Sequence, residues 1–70
     1  MVQNLKFFLN GQEYTVSKTI KILDLIKYFN YNESLLVLEY NNTICSKTKW
    51  HDTYIIENDK IEIVTIVGGG

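Results

Sequence analysis

The 70-residue sequence has no proline, one cysteine and one histidine, and its formal net charge is −1. A single cysteine cannot form an internal disulfide, so a small secreted domain held by disulfides is excluded. The near-neutral charge lacks the basic surplus of a nucleic-acid-binding domain, so we predict no nucleic-acid partner. No apolar run approaches the about 20 residues that cross a bilayer, and no signal-peptide pattern is present. We therefore expect a soluble protein with no membrane partner, in a bacterial cytoplasm or a plastid stroma.

The residues that are present predict strands and one helix. Residues 5–9 and 12–16 are two strands joined by Asn10-Gly11, a pair typical of a tight hairpin turn. Apolar residues then recur at helical spacing, with Thr19 as the expected N-cap and Asn30 or Asn32 as the expected left-handed C-cap. The apolar stripe of this helix consists of Ile22, Leu25, Ile26 and Phe29.

The second half of the chain predicts three more strands. They cover residues 35–40, 43–45 and 60–67, and a helical turn around Trp50 lies between the last two. Short hairpins give antiparallel neighbours, and the helix allows the last strand to run parallel to the first. The predicted fold is α+β, a β-grasp arrangement with a mixed sheet of about five strands and one main helix on one face. We expect residues 1–67 to form a single domain.

Three of the four glycines end the sequence, and we expect residues 68–70 to form a flexible tail. Glycine has no side chain and adopts most backbone conformations. An anchored strand that runs into Gly68 and Gly69 presents the α-carboxylate of Gly70 as a mobile group. The opposing interpretation is an inert terminus, since chain ends are commonly disordered.

Strand alternation predicts a partner surface on the sheet face that the helix leaves uncovered. An apolar patch with a charged rim is typical of docking surfaces, although single exposed apolar residues are ordinary on small domains. The expected docking patch consists of Phe8, Val37, Val64 and Ile66, rimmed by Lys6, Glu39 and Glu62.

Several polar residues are better explained by structure than by chemistry. Cys45 and His51 cannot by themselves complete a catalytic triad or a zinc site, so we predict no catalytic residue and no metal. Trp50 is expected to anchor the core, whereas Asp24, Glu57 and Asp59 are expected on a solvated helix face and in a turn. No glycine-rich loop precedes a helix, so the chain is expected to bind no cofactor and to leave ATP to a partner.

Taken in order, these features resemble the ThiS family of small sulfur carrier proteins of thiamine thiazole biosynthesis. The matching features are the Asn10-Gly11 hairpin, Thr19, the run 37–44, Trp50, the run 58–64 and the closing Gly68-Gly69-Gly70. The family's usual Asp-Gly-Asp turn is Glu57-Asn58-Asp59 here, and Asn tolerates left-handed geometry nearly as well as Gly.

The resemblance implies a substrate protein, not an enzyme. A ThiF-like adenylyltransferase is expected to activate Gly70 with ATP, and a cysteine desulfurase system to supply the sulfur of a Gly70 thiocarboxylate. A ThiG-like thiazole synthase is the expected acceptor, with Gly68 and Gly69 threading into both partners. Other readings of the same features are a molybdopterin synthase small subunit, a ubiquitin-like modifier and a non-carrier interaction module.

Overall fold

The structure, a computed structural model, describes residues 4–66. The helix and strands confirm the predicted order, with small shifts at their ends. They are β1 (Leu5–Leu9), β2 (Gln12–Val16), α1 (Ile22–Tyr28), β3 (Leu36–Tyr40), β4 (Thr43–Ile44) and β5 (Lys60–Thr65). Two short 3₁₀ turns, Glu33–Leu35 and Lys47–Lys49, complete the chain order. Nowhere in residues 4–66 is there a helix with the length and apolar character needed to cross a membrane.

The strands form one five-stranded mixed sheet in the order β2-β1-β5-β3-β4. The parallel pair is β1 with β5, and the other three pairs are antiparallel. The last strand therefore lies in the middle of the sheet, between the first and the third. This arrangement confirms the predicted α+β fold.

Asparagines provide the left-handed residues that the turns need. Asn10 and Gly11 have φ of 52° and 82°, and Asn41 and Asn42 have φ of 53° and 71°. Two consecutive residues of positive φ are the type I′ geometry, whose twist matches that of the flanking strands. Asn58 has φ of 68°, so it replaces the glycine of the last turn as the sequence predicts.

The helix begins later than predicted, and the assignment of Thr19 as its N-cap is wrong. Lys21 occupies the N-cap, and its backbone N–H donates to the Asp24 carboxylate at 2.9 Å. The start is delayed because the preceding backbone is extended: Ile20 accepts a hydrogen bond from the N–H of Ile55 at 2.9 Å. Lys21 likewise forms a β-bridge with residue 54.

Of the two predicted asparagines, Asn30 is the left-handed residue that follows the helix and its C-cap, Phe29. Asn30 has φ of 61°, and its N–H donates to the carbonyl of Lys27. The N–H of Tyr31 donates to the carbonyl of Ile26, which completes a Schellman motif. Asn32 instead accepts from Ser34 N–H and caps the following 3₁₀ turn, which takes Leu35 out of β3.

The core lies between α1 and one face of the sheet. Trp50 is buried, and its indole N–H donates to the carbonyl of Cys45 at 3.0 Å, so the predicted core anchor is confirmed. The buried apolar residues are Phe7, Leu9, Ile22, Leu25, Ile26, Leu36, Leu38, Trp50, Ile55, Ile61 and Ile63.

Candidate functional site

The candidate site is the end of β5 and the sheet surface beside it. Gly68, Gly69 and Gly70, the predicted tail, lie outside the described residues. The structure instead locates the strand that leads towards them. β5 is the central strand of the five and has a hydrogen-bonded neighbour on each side, so the strand that leads towards the tail is held from both sides.

The start of β5 is held by the carboxylate of Asp59, which is only 4% exposed. This carboxylate accepts hydrogen bonds from the Tyr40 hydroxyl at 2.5 Å, the Asn41 side-chain amide at 3.0 Å and the Ile56 N–H at 2.7 Å. The predicted turn is present, since the N–H of Asp59 donates to the carbonyl of Ile56 at 3.1 Å, but the Asp59 side chain is buried in it. A buried carboxylate is tolerated because these donors replace its water. Glu57, by contrast, is exposed and accepts from the backbone N–H of Lys6 at 2.8 Å.

The contact with Asp59 also changes the acidity of Tyr40. Burial, and then the hydrogen bond to the Asp59 carboxylate, raise the pKa of Tyr40 to about 12. Both causes favour the neutral phenol, because an ionised Tyr40 would lose water and face a negative charge. The hydroxyl therefore stays a donor at neutral pH, and it also contacts the carbonyl of Tyr54 at 3.1 Å.

The side chain of Asn10 continues the hydrogen bonding to β5 beyond the end of β1. The register between these strands covers two residue pairs, Phe8 with Lys60 and Leu9 with Ile61. The side-chain oxygen of Asn10 then accepts from the N–H of Ile63 at 2.8 Å. One residue thus forms the hairpin turn and satisfies the backbone of the central strand.

The last residues of β5 are paired with β3. Val64 lies opposite Val37, and Thr65 lies opposite Leu36. The N–H of Ile66 donates to the carbonyl of residue 35 at 2.6 Å, which continues the pairing past the strand end. Val64 is 59% exposed and Ile66 52%, so the described end of this segment carries an exposed apolar region.

The structure brings only part of the predicted docking patch together. Val37 and Val64 are neighbours on the uncovered face, and Ile66 follows along the chain. Phe8 is half-buried and lies opposite Lys60, four residues before Val64, which is a strand distance of about 13 Å. Its ring instead lies 5.9 Å from the ammonium of Lys6. Whether the patch docks a partner stays a prediction.

Between these two apolar regions the uncovered face is acidic. Glu39 and Glu62 are direct cross-strand partners, a like-charge pair that costs stability on a sheet. Ile44 lies opposite Glu39 and is 69% exposed, so it belongs to the same face. Sequence reasoning missed Ile44, although pairing it with an outward-facing Glu39 would have placed it there.

Cys45 and His51 form no reactive pair in the structure. Cys45 is half-buried and packs against the core. His51 is exposed and contacts the carboxylate of Asp52 at 3.4 Å. No group of three or more potential metal ligands occurs among residues 4–66.

The sheet order, the single packed helix and the central last strand define the chain as a small β-grasp domain of the ubiquitin-like type. The crystal structure of the thiamine biosynthesis protein ThiS from Geobacter metallireducens has the same fold. It superposes with a TM-score of 0.79 over 94% of this chain and 100% of that chain, at 19% identity.

Sequence comparison assigns the family. The model of the ThiS family matches residues 6–70, a match that includes the three closing glycines. The sulfur carrier protein ThiS of Bacillus subtilis is 35% identical over 63 residues, covering 89% of this chain and 96% of that one. A Trieres chinensis protein that bears the name uncharacterized protein ycf40 is 64% identical over 64 residues, covering 91% and 88%. The chain belongs to the ThiS family.

Proposed function

We propose that this protein is the sulfur carrier of thiamine thiazole biosynthesis, with Gly70 as the residue that carries sulfur. The observation that supports the proposal most is the family match through residue 70, because it covers the tail as well as the folded domain. The Bacillus subtilis relative is named a sulfur carrier protein, which is the same role. The protein would act as a substrate of its partners and not as an enzyme, with ATP bound by the activating partner.

The chemistry of a terminal carboxylate sets the order of the steps. An α-carboxylate has a pKa of about 3.3–3.7, so it is an anion at neutral pH and a poor electrophile. A ThiF-like adenylyltransferase would join Gly70 to AMP and release pyrophosphate. A persulfide from a cysteine desulfurase system would attack the acyl carbon and expel AMP, and a second thiol would reduce the remaining S–S bond. The Gly70 thiocarboxylate would then donate sulfur to a ThiG-like thiazole synthase.

The exposed end of β5 is the proposed docking surface for the activating enzyme. Val37, Val64 and Ile66 provide an apolar contact next to the tail. Glu39 and Glu62 are adjacent and repel one another in the free protein. A basic group on the partner would remove that repulsion, so we expect the partner surface to be apolar with a Lys or Arg opposite this pair.

Intact mass spectrometry tests the proposed function. The protein is incubated with ATP, cysteine, a thiol reductant, a cysteine desulfurase and a ThiF-like enzyme, and the expected gain is the mass difference between a sulfur and an oxygen atom. An inert interaction module would gain nothing. Rescue of a thiazole-requiring strain distinguishes a thiamine carrier from a molybdopterin synthase subunit or a protein modifier, since neither of these would restore growth.

A substitution in the tail tests the threading of Gly68 and Gly69. Gly69→Val adds bulk where the tail must enter a partner's active site, so adenylation should fall by about a hundredfold, as for a misplaced reacting group. The melting temperature should be unchanged. Normal adenylation of Gly69→Val, measured by pyrophosphate release, would contradict threading.

A further inference from the structure

The strand β2 is an edge of the sheet on the side away from β3 and β4. Among residues 4–66, no strand pairs with its outer side. An unpaired strand edge presents backbone donors and acceptors that can accept another strand. β1 lies between this edge and β5.

The hydrogen-bond pattern shows which residues of β2 face outwards. The N–H groups of Phe8 and Asn10 donate to the carbonyls of Asp59 and Ile61, on the β5 side, so the alternate residues of β1 face β2. In the register of the hairpin these are Leu9 opposite Gln12 and Phe7 opposite Tyr14, which form the bonded pairs. The backbone N–H and C=O of Glu13 and Thr15, the residues between them, therefore point away from the sheet.

A groove of about 920 Å³ runs beside this edge, between β2 and α1. Its floor is aromatic: Tyr14 stacks on Phe7 at 5.8 Å, and Phe29 packs edge-on against Tyr14 at 5.5 Å. Tyr28 contacts Phe29 and is 82% exposed at the rim. Side chains of an added strand would alternate, so every second one would enter this groove.

The charges around the groove favour an acidic occupant. Lys18 and Lys27 both line it and are exposed. Asp24 is the one acid among the lining residues, and its carboxylate already accepts the N–H of Lys21 at the helix N-terminus. Two ammonium groups at an apolar groove complement carboxylates on either side of an apolar segment.

We propose that the β2 edge and this groove form a strand-addition site for an extended peptide segment of a partner protein, apolar at alternate positions and flanked by carboxylates. The segment would bond to the outward backbone of Glu13 and Thr15 and place its apolar side chains over Tyr14 and Phe29. Main-chain bonds would supply affinity, and the groove and the lysines would supply specificity. The site is separate from the proposed sulfur chemistry and does not depend on Gly70.

A defined peptide tests the site. The probe is an acetylated and amidated heptapeptide, Glu-Val-Thr-Val-Thr-Val-Glu, titrated to millimolar concentration into ¹⁵N-labelled protein. We expect the amide signals of Glu13 and Thr15 to shift, together with those of Lys18 and Lys27, while those of Val37 and Val64 stay in place. Absence of shifts at the β2 edge, or shifts confined to the face of Val37 and Val64, would overturn the proposal.

A pair of variants distinguishes strand addition from non-specific binding of the peptide. Thr15→Pro removes an outward N–H without breaking the β1 ladder, a position that an edge strand tolerates, so it should abolish the shifts. Thr15→Val keeps the N–H and should bind normally. Equal binding by both variants, with both shown to be folded by their spectra, would contradict strand addition.

Two further measurements test the role of the lysines and the identity of the occupant. The double variant Lys18→Glu with Lys27→Glu should bind the peptide about tenfold more weakly. Lys47→Glu with Lys49→Glu, in the 3₁₀ turn that does not line the groove, should leave affinity unchanged. Sedimentation showing a dimer that Thr15→Pro dissociates would overturn the proposal, since a second copy would then occupy the edge.

Discussion

The two ends of β5 differ in what holds them. At its start, the strand lies between β1 and β3, and the buried Asp59 carboxylate binds three donors there. Past Ile63, where the Asn10 side chain makes the last contact from the β1 side, the register continues with β3. On the face that the helix covers, Ile61 and Ile63 are buried but Thr65, at the end, is exposed. Val64, on the other face, and Ile66 are exposed as well.

The start of β5 therefore contributes to stability, and its end is available for recognition by a partner. Within β5, the buried side chains and the side-chain hydrogen bonds that stabilise the fold are concentrated towards its start. Exposed side chains at its end contribute little to folding, so they are available to contact a partner. Changes at the start should therefore lower the free energy of unfolding, and changes at the end should lower partner affinity.

The largest expected effect is at the start of the strand. Asp59→Ala removes the acceptor for the Ile56 N–H, the Asn41 amide and the Tyr40 hydroxyl, and should lower the free energy of unfolding by about 3 kcal/mol. Urea denaturation followed by circular dichroism measures this loss. Asp52→Ala, at a side chain 76% exposed, is the control and should change it by less than about 0.5 kcal/mol. An equal loss of unfolding free energy in both variants would contradict the stabilising role given to Asp59.

A substitution at the end of β5 should show the opposite pattern. Val64→Lys places a charge in the apolar contact and should weaken binding to a ThiF-like enzyme about tenfold, or about 1.4 kcal/mol. Its unfolding free energy should change little, because Val64 is 59% exposed. Ile56→Lys is the matched control, with the same 59% exposure outside the sheet face, and should bind normally in calorimetry.

Asn10 tests the boundary between the two halves of β5. Asn10→Gly keeps the left-handed turn but leaves the Ile63 N–H without its acceptor, which should cost about 1 kcal/mol. Asn42 also has positive φ, and its side chain makes no hydrogen bond within residues 4–66. Asn42→Gly should therefore be nearly neutral in the same denaturation experiment. A neutral Asn10→Gly would show that the Asn10 contact does not hold the strand.

The effect that appears only at alkaline pH is a dependence of stability on the ionisation of Tyr40. Its pKa is raised to about 12 in the folded protein, against about 10 in an unfolded chain. A raised pKa means that the folded state binds the proton more tightly, so this contribution is complete below pH 10 and is lost as the pH rises to 12. The stability difference between wild type and Tyr40→Phe should shrink across that window. A difference that stays constant from pH 9 to 12 would contradict the role given to the phenol.

The sequence predicts the parts of the fold that depend on local patterns. Alternating residues and Asn10-Gly11 predict the first hairpin, helical spacing predicts the buried face of α1, and Trp50 is recognised as an anchor by its size and isolation. Strand alternation also predicts that Val37 and Val64 face away from the helix. The family's glycine tail is visible in the sequence without any structure.

Long-range contacts account for what the sequence does not reveal. Asp59 looks like an exposed turn residue, because the Tyr40 that buries it lies 19 residues away. The acceptor role of Asn10 involves a residue 53 positions later. Thr19 looks like a helix cap, but pairing of the following residues with Tyr54 and Ile55 delays the helix. Phe8 is distant from Val64 because β1 pairs with the start of β5, and this register cannot be predicted from the local sequence.

Deleting Gly70 tests the central claim most directly. Full-length protein and the deletion variant are incubated with ATP, cysteine, a thiol reductant, a cysteine desulfurase and a ThiF-like enzyme, and their intact masses are compared. The account predicts that the full-length chain gains the mass difference of sulfur for oxygen, and that the deletion variant gains nothing while unfolding at the same urea concentration. An equal mass gain in the variant would show that Gly70 is not the residue that carries sulfur.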